Sequence, residues 1–258
     1  RGVRPFKGDD RKEFFNLLYN QRISGWTPLR QALGDAGKYF SRSDNRGPWS
    51  DTPGIDSNED PKSHLACRSS YTILMTDGSW NKGGPNVGNA DGTIGPVITA
   101  PDGRTFQYTP TDPYKDNYRN TLADVAMSYW KRDLRPDLAN KVPVNSKNEA
   151  FWQHMVTFGV GLGVTGSIDP DEAWQAVQNR SPIDWPRPSS SKAKIDDLLH
   201  AAINSRGGFF SATNPEEFAR ELANTLADIV ARTESSATAA AVSSAVLQGD
   251  TLLFSAGF

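Results

Sequence analysis

The 258-residue chain carries 28 Lys+Arg against 30 Asp+Glu, a net charge of -2, with no basic block. That balance gives no electrostatic footprint for nucleic acid or for an anionic membrane surface, and no apolar run approaches the length of a bilayer span. Cys67 is the sole cysteine, which excludes an internal disulfide and a multi-cysteine zinc site. The three histidines, His64, His154 and His200, lack metal-ligand spacing. A buried, inert thiol is the expectation for Cys67, because free cysteines are among the most buried residues.

From the start, Asp9 and Asp10 open a helix over 11–20, with Phe14, Leu17 and Leu18 on one face. Gly25-Trp26-Thr27-Pro28 breaks the pattern, and Pro28 starts a second helix to about Phe40. There Ala36 and Gly37 allow close approach to a sheet. Thr27 thereby sits at a helix N-terminus, where free N–H groups and the helix dipole favour an anion or an oxygen-ligated ion; a simple cap is the competing role. Residues 41–63, rich in Ser, Asp, Asn, Gly and Pro, read as a surface connection, and the acids of 51–60 lack the pattern of a calcium loop.

Tyr71-Thr-Ile-Leu-Met-Thr76 is an apolar, partly β-branched run ending in Asp77-Gly78. It reads as a strand buried on both faces in the middle of a parallel sheet, with Asp77 at the carboxyl end where such sheets place ligand chemistry. The excursion after it, about 81–116, is rich in turn signals. Ile94–Thr99 and Thr105–Tyr108 are expected to pair as a hairpin around Pro101-Asp102-Gly103.

Asn120 is expected to cap a helix over 121–131, and Met155–Gly163 to form the next parallel strand, its alternate glycines suiting close helix packing. Gly159-Val160-Gly161-Leu162-Gly163 is not a dinucleotide fingerprint. Helices follow from Asp169 or Pro170 to about Gln178 and over Ile195–Ile203, with His200 on a face away from Leu198, Leu199, Ala202 and Ile203. After a short Gly207–Phe210 strand, Asn214-Pro215-Glu216-Glu217 starts a last helix to about Arg232. Residues 234–258 turn Ala/Ser/Thr-rich and read as a linker, with 238–247 and 251–254 as a hairpin beginning a β-rich domain. The start at Arg1 without Met suggests a processed product, and the stop at Phe258 suggests that another domain follows.

The element order, with Thr27 in a loop and Asp77 at a strand end, resembles the later two-thirds of a von Willebrand factor A domain. The resemblance implies a doubly wound, mostly parallel α/β sheet over 1–233, with insertions at about 41–66 and 81–116 and the N-terminal elements missing. It also implies a metal-ion-dependent adhesion site in which Thr27 and Asp77 are ligands, direct or through water, to a divalent cation (Mg²⁺, or else Ca²⁺ or Mn²⁺). Ser79, Trp80 and Asn81 would form its rim. The Asp-x-Ser-x-Ser that completes such a site does not occur before Thr27.

A narrower likeness covers nearly the whole chain. Gly25-Trp-Thr-Pro-Leu-Arg30, Cys67-Arg68, Leu74–Asn81, Thr121-Leu-Ala-Asp-Val-Ala126 with Tyr129-Trp130, and Trp152-Gln-His-Met155 are similar to the N-terminal region of the PilY/PilC-type proteins of type IV pili. That family implies an exported, non-enzymatic adhesion and assembly module at the pilus tip, outer membrane or cell surface, supporting pilus assembly and twitching motility. Its implied partners are minor pilins or other tip subunits, a C-terminal domain of the same protein, and a host or abiotic surface. Two other readings stand beside it: a purely structural module with a vestigial metal position, and a hydrolase using Asp77 with His64 or His154. In the matched segments, Asp124 and Asp133 are expected to cap or pair rather than to ligate.

Overall fold

The computed structural model describes residues 6–20, 25–55, 58 and 60–243. In chain order the elements are α1 (Gly8–Tyr19), α2 (Leu29–Phe40), a 3₁₀ turn (Pro61–Ser63), β1 (Tyr71–Thr76), β2 (Val97–Thr99), β3 (Thr105–Gln107) and α3 (Leu122–Trp130). They continue as β4 (Val156–Leu162), α4 (Pro170–Asn179), α5 (Ser191–Asn204), β5 (Phe209–Ala212) and α6 (Pro215–Ser243). Strands β1, β4 and β5 form a parallel sheet in the order β1-β4-β5, while β2 and β3 pair separately as an antiparallel hairpin. A parallel sheet flanked by helices places the chain in the α/β class.

The central strand is β4. Six of its seven residues are buried, as expected for a strand covered on both faces. Gly159 lets Leu198 of α5 lie against the strand, since a Cβ there would press on Leu198 and Phe209. Strand β1, expected in the middle of the sheet, is instead an edge strand among the described residues. It pairs with β4 alone, so three of its positions are only half-buried and Met75 is 49% exposed.

Helix α3 is almost entirely buried. One side meets Leu33, Leu198 and Met155; the other supports a second cluster of Tyr108, Met127, Trp130, Phe151 and Trp152. Phe106 of β3 stacks on Trp152 with ring centroids 4.7 Å apart, so the long excursion folds back onto α3 through its hairpin. Its cap differs from expectation. Thr121, not Asn120, is the N-cap, in a reciprocal box with Asp124. Asn120 sits at φ 58°, and its side-chain oxygen accepts from the amides of Val87 and Gly88.

Several other expectations change. Helix α1 buries none of its residues, and Phe6, Phe14 and Phe15 pack on one another. Gly37 lies against the Tyr129 ring of α3, not against the sheet. Trp49, within the presumed surface connection, is fully buried and donates to the Phe40 carbonyl. Cys67 is exposed rather than buried. Helix α6 runs on to Ser243, where a strand was expected from 238; the rest of that expected hairpin, 244–247 and 251–254, lies outside the described residues. No helix among the described residues is long and apolar enough to cross a membrane.

His154 makes the fold's stability depend on pH. It is fully enclosed: Nδ1 donates to the Trp152 carbonyl at 2.6 Å and Nε2 accepts from Asn148 at 2.7 Å, which fixes a neutral ring. Burial pulls its pKa down from 6.5 to about 4, with Glu149 and Arg206 as the nearby charges. A depressed histidine contributes stability that is present above its unfolded pKa and is lost as pH falls, because the unfolded chain then binds the proton. Between pH 6.5 and 4 the expected loss is about 1.4 kcal/mol per pH unit, roughly 3 kcal/mol in all. Urea titrations of wild type and His154→Gln across that window should show the wild type's extra loss of stability absent from the variant; parallel curves would contradict this assignment.

Candidate functional site

The carboxyl end of β1 gathers most of the residues singled out in the sequence. Thr76 closes the strand: its hydroxyl donates to the Gly78 carbonyl at 2.6 Å and accepts from the Gly78 amide at 3.2 Å. Beyond this turn, Asn81 and Thr27 hold each other reciprocally. The Thr27 amide donates to Asn81 Oδ1 at 2.7 Å, and the Asn81 amide donates to the Thr27 carbonyl at 3.2 Å. The loop before α2 is thus fastened to the loop after β1. Asp77 is exposed, and no hydrogen bond or ion pair engages its carboxylate among the described residues. Ser79 approaches Ser191 at the start of α5, 3.5 Å between hydroxyls.

Trp80 turns inward. Its indole N–H donates to Asp197 of α5 at 3.1 Å, while the Arg30 guanidinium and the Lys194 ammonium lie 3.8 and 4.7 Å from its ring centre. Contacts of this kind hold a cation against an aromatic face. Asp197 is a junction between elements: its two oxygens also accept from the Leu122 and Ala123 amides, the first turn of α3, at 2.9 and 3.0 Å. It serves as an anion for the α3 N-terminus, supplied by a residue far along the chain. Burial pushes its pKa up to about 7, against the pull of these three donors.

A second constellation, absent from the sequence reading, lies inside. Asp91 and Asp116, from the excursion after β1, converge with His200 of α5; one ligand atom from each lies within 4.8 Å of the other two, a grouping able to hold a metal ion. Asp91 is fully buried, and the Asp116 and His200 side chains are 8% and 2% exposed. Burial, with Asp116 and Asp124 nearby, pushes Asp91 up to about 8; burial pushes Asp116 up to about 6 and His200 down to about 3. The surrounding side chains are built to hold the three. Asn204 donates to Asp91, the Tyr118 amide donates to Asp116, and Trp185 stacks flat on the His200 ring at 4.0 Å. Asp124 remains a capping residue, as expected, and it also accepts from the Ala90 amide at 2.6 Å, one residue before Asp91. Asp133 likewise accepts from the Arg135 amide at 2.8 Å.

Neither histidine of the hydrolase reading reaches Asp77. His64 is buried against Arg135 and Asn45, and His154 is enclosed as described. A cleft of about 850 Å³ lies elsewhere, between the Asn145–Glu149 turn, α4 and Arg206. Arg206 pairs with Glu149 at 2.8 Å and lies 3.7 Å from the Trp130 ring centre.

The sheet and its loops define an α/β module whose strand-exit loops are cross-fastened to neighbouring helices. Comparison with known proteins is specific. The chain is 36% identical over 274 residues to the type IV pilus biogenesis factor PilY1 of Pseudomonas aeruginosa strain PAK, covering 96% of this chain and 23% of that protein. The strain PAO1 protein of the same name gives the same figures. That of strain UCBPP-PA14 is 36% identical over 272 residues, covering 95% of this chain and 22% of the relative. The chain is thus homologous, along nearly its whole length, to one segment of type IV pilus biogenesis factors. The chain spans less than a quarter of the length of the curated relatives it matches. No family model and no solved structure matches.

Proposed function

We propose that this chain is a von Willebrand factor A-like module of a type IV pilus-associated adhesion and assembly protein, working outside the cytoplasm at the pilus tip or cell surface. The observation that carries this reading is the identity to pilus biogenesis factors along 96% of the chain. Its role is binding, not catalysis: partners are minor pilins or other tip subunits, a C-terminal domain of the same protein, and a host or abiotic surface. The β1 exit is the partner-facing surface. Thr27 and Asp77 hold a divalent cation of the Mg²⁺ class there, directly or through water, and Ser79, Trp80 and Asn81 form the rim. The exposed, unengaged Asp77 carboxylate beside the Thr27–Asn81 clasp supports this arrangement, since a hard cation needs only a few oxygen ligands and leaves a position for a partner's acid.

A second reading is favoured by one observation. Trp80 and Asn81 are turned to internal partners, Asp197 and Thr27, as in a structural docking module whose metal position is vestigial. The two separate in bacteria that make the whole protein. Asp77→Ala should lower surface attachment several-fold while pilus number holds, and chelation should reproduce the loss in the unmodified strain. Attachment unchanged by Asp77→Ala, with piliation lost on deleting the module, would establish the structural reading. Normal piliation and attachment after that deletion would overturn both.

A further inference from the structure

We propose that Asp91, Asp116 and His200 bind one Zn²⁺-class divalent cation as an interior structural ion, separate from the exposed β1 exit. The positions of hydrogen-bond donors carry the assignment. His200 Nε2 lies 2.7 Å from the Tyr114 carbonyl. A carbonyl only accepts, so Nε2 holds the proton and Nδ1 presents a lone pair. That lone pair faces Asp116 Oδ2 at 3.6 Å, too long for a charge-assisted hydrogen bond. Asp116 takes its hydrogen bond from the Tyr118 amide on the other oxygen, Oδ1, and Oδ2 has no donor among the described residues. Two acceptors, each on a side chain more than nine-tenths buried, therefore stand 3.6 Å apart with no donor to either among the described residues.

A cation resolves the arrangement. Ligands about 2.0–2.1 Å from a tetrahedral ion stand about 3.3–3.4 Å apart, close to the spacing of these two atoms. Asp91 completes the group, one ligand atom from each of the three residues lying within 4.8 Å of the other two, and its Oδ2 stands 3.6 Å from His200 Nε2. The outer contacts are those of a metal site: the ligating imidazole donates its other N–H to a backbone carbonyl, and the carboxylates receive Asn204 and backbone amides. One imidazole with two carboxylates suits Zn²⁺ better than Mg²⁺ or Ca²⁺, which favour all-oxygen shells. The ion would tie two points of the long excursion, residues 91 and 116, to α5.

The full chain, unfolded in chelator and refolded with one equivalent of Zn²⁺, tests this by metal analysis after desalting and by thermal melting. One Zn²⁺ per chain and a melting temperature raised by about 5 °C or more are expected, since an ion held at 100 times its Kd adds about 2.7 kcal/mol. Asp116→Asn and His200→Gln should weaken binding at least as much as the 10–100-fold that losing an outer contact costs. Thr27→Ala, Asp77→Ala and Cys67→Ser should leave it unchanged, which keeps this site distinct from the β1 exit and from an adventitious thiolate complex. Should the ligand variants not fold, Co²⁺ in the unmodified chain provides the readout: a hyperfine-shifted exchangeable proton from His200 Nε2–H, in a chain with 3 histidines. No retained ion in the wild-type chain, retention equal in Asp116→Asn and His200→Gln, loss on Cys67→Ser, or a Co²⁺ complex without that signal would overturn the proposal.

Discussion

Asp197→Ala should cost about 4 kcal/mol of folding stability, measured as a fall in the urea midpoint at unchanged slope. Three buried or half-buried donors lose their acceptor at once: the Leu122 and Ala123 amides and the Trp80 indole. Each orphaned donor costs about 1–3 kcal/mol, and the terms overlap because all three face one carboxylate. The first turn of α3 also loses the anion that complements its dipole. Asp197→Asn should cost less, since one side-chain oxygen still accepts, yet its NH₂ must face a backbone donor. A loss below about 1 kcal/mol in Asp197→Ala would mean that water replaces the carboxylate, and the junction would then carry little of the fold's stability.

Gly207→Ala is expected to be more severe, removing at least about 3 kcal/mol and most of the soluble yield. Helix α5 ends in a Schellman arrangement: the Arg206 amide bonds back to Ile203 and the Gly207 amide to Ala202, with Arg206 in the left-handed region at φ 62°. This brings Gly207 onto β4, where an added Cβ would overlap the carbonyl of Thr157. Both partners are backbone, so no rotamer change relieves the overlap. Gly78→Ala is the control, because a Cβ there meets nothing within 4 Å. Equal stability in the two variants would show that the α5–β4 joint gives way more readily than its packing implies.

What was legible in the sequence was local. The span of β1 was read residue for residue from its apolar run and the Asp-Gly that ends it. The β2–β3 hairpin followed from Pro101-Asp102-Gly103, and the start of α6 from Asn214-Pro215. The clasp between Thr27 and Asn81 was not legible: the family resemblance placed both at one site, but no local signal pairs residues 27 and 81. The interior cluster was not legible, because its members are 25 and 84 residues apart in sequence and each has an ordinary local meaning. Asp91 sits in an Asn-Ala-Asp-Gly turn signal, and Asp116 closes a loop. His200 lies off the apolar face of a helix that proves to be enclosed all round, so a face away from the leucines is still interior. Asp197 escaped for the same reason: an acid in a helix reads as solvated until another helix's N-terminus is seen to end on it. Trp185, in a Pro/Ser-rich loop, gave no sign that it would cover His200.

The Asp197 junction also fixes how the fold can open. The amides of Leu122 and Ala123 belong to α3, but their acceptor lies in the middle of α5, so the first turn of α3 cannot fray without breaking its bonds to α5. Their hydrogen exchange should follow the opening free energy of α5 and not the faster, local fraying usual in a first helical turn. The Thr27 and Asn81 amides, held at an exposed loop, should exchange well before them. The β1 exit is thereby expected to open in two stages, the Thr27–Asn81 clasp first and the Asp197 junction with the helices behind it later.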